Sequence, residues 1–125
     1  MRRAELETAI YTALRSRAEL TAQLKNGAKS IWHARAPAGE YDRCPFLVYS
    51  MMTYDPTLHG DDEEWLCRAE VRIHIVTSDG DFGTLEATVN DEMYRLGAQR
   101  RRTLSYMDEG RQMLIMDYAI VRRAE

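Results

Sequence analysis

Lysine is nearly absent from this chain: Lys25 and Lys29 are the only two among 17 basic residues, and the rest are arginine. Arginine makes planar, multi-donor contacts with carboxylates and is enriched at protein interfaces, although the codon bias of a GC-rich genome produces the same excess. Cysteine is equally scarce. Cys44 and Cys67 are too few for a disulfide framework, and Cys67 falls among apolar alternating positions, where a thiol acts as a small hydrophobe. Long apolar runs are missing too, none approaching the ~20 residues that span a bilayer. The opening Met-Arg-Arg-Ala-Glu-Leu-Glu has no apolar stretch of the kind a secretory signal needs. The expectation is a protein made and folded in a cytoplasm, with no membrane partner. A net charge of −3 gives no general attraction to nucleic acid.

Chemistry is lacking as well. His33, His59 and His74 lie on separate elements, and no Ser or Cys has a base at motif spacing. Gly80-Asp-Phe-Gly83 lacks the lysine and further glycines of a phosphate loop. The run Asp61-Asp62-Glu63-Glu64 beside His59 does not alternate its ligands around a central glycine as a calcium loop does, so an acidic contact loop is expected rather than a metal site. The sequence therefore points to no catalysis, no cofactor and no metal.

What is present is one clear strand. From Cys67 one parity is apolar (Cys67, Ala69, Val71, Ile73, Ile75), and the other is polar until Val76 (Arg68, Glu70, Arg72, His74). Successive strand side chains point to opposite faces, so this pattern predicts an antiparallel sheet with one buried and one wet face. Leu6, Ile10 and Leu14 recur every four residues and predict a helix from Arg3 to about Leu24, with a break between Ser16 and Glu19. Arg15 and Arg17 are placed on its outer side. Asn26-Gly27 ends it. A short strand is expected within Ser30–Ala36, and a strand buried on both sides follows Pro45. Tyr54 to Glu64 reads as a long hairpin loop.

A second helix runs to about Leu96, with Leu85, Val89, Met93 and Leu96 as its apolar stripe and Glu86, Asn90, Asp91 and Glu92 mostly outward. Gly97 stops it. Arg100 to Tyr106 and Met113 to Arg122 are the last two strands, joined at Asp108-Glu109-Gly110. The order predicts a single α+β domain, a mostly antiparallel sheet of four to five strands with two helices packed on one face. Two helices cover one face and scarcely both. An apolar remainder on the second face, drawn from Leu47, Tyr49, Met51, Ile115, Ala119 and Val121, predicts self-association.

Arg100-Arg101-Arg102 is a basic cluster after the second helix. Three adjacent residues of a strand cannot all face one way, and no aromatic platform accompanies them, so specific nucleic-acid binding is not expected. Arg100 is placed just past the end of the second helix, where a cation suits the helix dipole. The cluster also offers a complement to the acidic hairpin of a neighbouring subunit, in a head-to-tail contact that closes into a ring.

The layout as a whole is similar to a known family. A helical segment ends in Asn-Gly; a strand follows, then Pro45-Phe-Leu-Val-Tyr49, a polar hairpin, the strand Arg68-Ala-Glu-Val-Arg-Ile-His-Ile-Val-Thr-Ser78, a helix and a strand pair. This resembles the small tail-completion and tail-terminator proteins of tailed bacteriophages and prophages, over nearly the whole chain and without an invariant chemical signature. The resemblance implies an α+β structural subunit forming a ring, commonly a hexamer, at the head-proximal end of the virion tail. Assembly would take place in the host bacterial cytoplasm, and the partners would be the tail tube protein and the head connector or portal-proximal protein. The contact residues expected are Asp61, Asp62, Glu63 and Glu64 on the hairpin, Arg68, Glu70, Arg72 and His74 on the wet strand face, and Arg100, Arg101 and Arg102. The alternatives are a head-completion adaptor and, in another class, a small oligomeric ligand-binding or regulatory module.

Overall fold

A computed structural model describes residues 3–37, 39, 44–60 and 63–123, without the side chains of 56–60 and 63–65. Helix α1 spans Arg3–Ser16, and its four-residue stripe Leu6, Ile10 and Leu14 is fully buried. The expected break follows at Arg17, whose extended backbone separates α1 from the short α2 (Ala18–Thr21). A 3₁₀ turn at Gly27–Ser30 leads into β1 (Ile31–His33). Strands β2 (Phe46–Gly60) and β3 (Glu63–Thr77), helix α3 (Leu85–Arg95), and strands β4 (Gln99–Asp108) and β5 (Arg111–Arg123) complete the chain.

The five strands form one sheet in the order β1-β2-β3-β5-β4, antiparallel throughout except for β1, which runs parallel to β2. The fold is α+β. On β3, the alternation places Ala69, Val71, Ile73 and Ile75 under the helices, against Leu6, Ile10 and Leu14 of α1 and Val89 and Met93 of α3. Each of those strand residues is about 1% exposed or less, so burial on this face is complete. At roughly 25 cal/mol per Å² of apolar surface, this layer is the main source of stability.

Two sequence expectations need correction here. Tyr54 to Glu64 is not a loop: the β2–β3 ladder continues to the pair Gly60↔Glu63, so the hairpin is a long ladder despite Pro56 and Gly60. Here the cross-strand pairing of β2 with β3 alone continues past the last β5 partner at Leu66, overriding the turn-like composition. Arg17 and Glu92 do not face outward. Arg17 donates to Glu92 at 2.8 Å, and Glu92 is 7% exposed. The break after Ser16 turns the Arg17 side chain toward α3, and Arg95 adds a second donor to Glu92 at 3.1 Å. Two charges that the helical period places outside are thus tolerated inside because they meet.

Helix α3 begins without a side-chain cap. Asp79 and Asp81 accept the backbone N–H groups of Asp81 and Gly83 and build the preceding turns, while Thr84 at the cap position makes no cap bond. The Thr84 hydroxyl instead accepts from Gln23 at 2.6 Å, tying α3 to the end of α2. At the other end Gly97 takes φ +85°, and the Ala98 N–H reaches back to the carbonyl of Met93, closing the helix as the sequence predicts.

Candidate contact surface on the open sheet face

The second face of the sheet carries no helix among the described residues. Its rows follow from strand register: Phe46, Val76, Met113 and Tyr106; then Trp32, Val48, His74, Ile115 and Leu104; then Ser50, Arg72, Asp117 and Arg102. Leu47, Tyr49 and Met51 belong to the helix-covered face instead. Of the apolar remainder the sequence suggested, Ile115, Ala119 and Val121 lie on the open face, and of these Val121 is exposed. The chain covers one end of this face itself. Ala36 and Cys44 pack over Phe46, Val48, Val76 and Met113 as a small second core.

The centre of the face is ionic. Asp117 is 9% exposed and accepts two hydrogen bonds from Arg72, at 2.8 and 3.1 Å. Arg102 approaches the same carboxylate at 3.4 Å. The Arg72 hydrogen bond holds the Asp117 carboxyl below the usual carboxylate range, against the opposing effect of burial. Sequence reasoning missed Asp117, although a signal existed: it is the lone acid in Met113–Val121, and a charge in a buried strand needs a partner.

His74 lies beside this cluster, half-buried. Its Nδ1 and the indole Nε1 of Trp32 are buried without a hydrogen-bond partner among the described residues. Burial, then the neighbouring Arg72 charge, push the His74 pKa down, with Asp117 acting weakly the other way. Below its ordinary value of 6.5 the unfolded chain takes up a proton that the folded chain refuses, so stability falls as pH drops from there toward the lowered folded value. Denaturant unfolding at pH 7 and pH 5 should show this loss, and His74→Gln should lose less over the same interval. An identical slope in the variant would exclude His74 as the source.

The three arginines separate. A bulge at Arg101 places Arg100 and Arg102 on opposite faces. Arg100 lies on the helix side, where it donates to Glu86 at 2.6 Å and to Thr103 at 2.7 Å. The expected dipole contact at the end of α3 is therefore replaced by an ion pair with its first turn. Arg101 is exposed, with no ion pair among the described residues. Arg68 and Glu70 sit on the open face, 4.0 Å apart and both well exposed. Asp61 and Asp62 lie outside the described residues. Glu63 and Glu64 begin β3 opposite Gly60 and His59.

Hollows lie on the open face and at the start of α3. One of about 210 Å³ lies between the Ala34–Arg35 segment and the edge strand, bounded by His74, Tyr106, Asp108 and Met113. Another of about 330 Å³ sits before α3, where Asp79 and Asp81 are already engaged by the turns they form. The described residues contain no cluster of three metal-ligating side chains, and no described helix is long and apolar enough to cross a membrane.

No model of a known protein family matches this chain, and no curated protein matches it by sequence. Among solved structures, it is similar in fold to a chain of the virion of a native gene transfer agent particle. The TM-score is 0.65 at 16% identity, and the match covers 95% of each chain.

Proposed function

We propose that this chain is a structural virion subunit of a phage or prophage: a tail terminator or head–tail joining protein that forms a ring on the tail tube and attaches it to the head connector. The observation that carries this reading is the fold likeness to a chain of a virion particle, end to end on both sides. The layout's resemblance to tail-completion proteins points the same way. The open face fits a contact surface, because its polar groups are arranged as ion pairs and hydrogen bonds and bring no nucleophile to a base.

In this reading the hairpin acids Asp61, Asp62, Glu63 and Glu64 and the face residues Arg68, Glu70, Arg72 and His74 meet neighbouring subunits, tube or connector. Of the three adjacent arginines, Arg101 and Arg102 are exposed, Arg102 beside Asp117, while Arg100 is held by Glu86. The test is native mass spectrometry of the protein alone and with the tail tube protein of the same genetic element. A six-fold species, alone or on the tube, is the expected result, with Arg101→Glu folded but impaired in assembly. A chain that stays monomeric or dimeric even with tube present would overturn the proposal.

A further inference from the structure

Strand β4 closes one side of the sheet, and its outer edge pairs with no described strand. An exposed edge is a template for another strand, and proteins commonly blunt it with charge, bulges or proline. Here the blunting devices stand at the ends and leave the middle open. The bulge and the three arginines occupy residues 100–102, while Thr103–Met107 contains no charge, proline or glycine. That open stretch carries exposed apolar side chains: Leu104 at 44%, Tyr106 at 45% and Met107 at 64%. The opposite edge strand, β1, has three residues and offers far less.

The charges along β4 are polarised. Arg100 to Arg102 stand at its start, Asp108 and Glu109 at its end. A parallel copy would set like against like. An antiparallel copy sets basic against acidic, so the strand is complementary to itself when reversed. Backbone parity agrees. Asp108 and Arg111 flank the two-residue turn Glu109-Gly110, whose φ values of +50° and +79° suit a tight hairpin. That pair exchanges bonds inward, so counting back along the strand, Thr103, Ser105 and Met107 direct their N–H and C=O groups outward.

We propose that the outer edge of β4 pairs antiparallel with β4 of a second copy about a two-fold axis at Ser105. Thr103 then lies opposite Met107 and exchanges backbone bonds with it. Leu104 stacks against Tyr106 on the shared open face, Arg102 faces Asp108, and Arg101 approaches Glu109. The contact is isologous and joins two five-stranded sheets into one. It needs nothing from the ring reading and stands or falls on the free chain.

Sedimentation equilibrium of the purified protein tests it. The expected species is twice the 14.5 kDa chain mass at high micromolar concentration. Ser105→Pro removes an outward N–H and should abolish the pair, its melting curve remaining cooperative. Arg101→Glu and Glu109→Arg should each weaken association by about tenfold, because like charges then meet at two symmetric places, and the double variant should restore it. A monomer at every concentration would overturn the proposal, as would a dimer indifferent to Ser105→Pro. So would a double variant no tighter than the singles.

Discussion

Replacing Asp117 by alanine is expected to lower the unfolding free energy by about 2–4 kcal/mol. The reason is what remains behind. Arg72 keeps a guanidinium whose side chain is 28% exposed, with its two short hydrogen bonds gone, and Arg102 loses its nearest carboxylate. Removing one member of a buried pair strands the other in poor solvation; the partial exposure of Arg72 places the effect below that of a fully buried pair. Removing both should be gentler. Arg72→Met with Asp117→Leu fills the same space with apolar atoms and should recover most of the loss in a denaturant titration. If Asp117→Ala alone loses less than about 1 kcal/mol, the ionic centre is decorative in energetic terms.

The second large effect belongs to the other face of the neighbouring strand. Ile73 is fully buried, opposite Tyr49 on one side and Met116 on the other. Ile73→Ala should cost about 3–4 kcal/mol, from lost transfer energy and a cavity that α1 and α3 cannot close. Arg68→Ala, five residues earlier on the open face, should change stability by no more than about 0.5 kcal/mol. Its pair with Glu70 is 4.0 Å long between two well-exposed side chains. Comparable losses at the two positions would show that the open face is as tightly packed as the helix-covered one.

That alternation was legible in the sequence because β3 has neighbours on both sides and helices over one face only, so polarity alone marks orientation. The α1 stripe and the Gly97 stop were legible for the same kind of local reason. Other features depended on partners that a linear pattern does not name. The β2–β3 ladder runs through Asp55, Pro56 and Gly60, residues that locally favour a loop. The bulge at Arg101 breaks the two-residue period where the arginines stand, and this alone decides that Arg100 reaches Glu86 while Arg102 reaches Asp117. Arg17 and Glu92 are placed by a one-residue break between helices. In the last two cases a one- or two-residue irregularity redirected a charge, and periodicity has no means of foretelling it.

The strand order has a consequence for biosynthesis. β5 is translated after the other four strands, yet it occupies the position between β3 and β4, pairing Leu66 with Arg123 on one side and Gln99 with Ala119 on the other. Until it emerges, β3 keeps one ladder edge unsatisfied and β4 has no neighbour in the sheet. The β4–β5 hairpin is local, but the β3–β5 pairing is distant along the chain and forms slowly, because loop closure precedes any reward from contact. A β3 edge left unpaired is the kind of exposed edge at which aggregation competes with folding. A product truncated after Gly110 would retain the β2–β3 ladder and lack the strand that joins it to β4, so the ribosome's last contribution to this sheet is also its keystone.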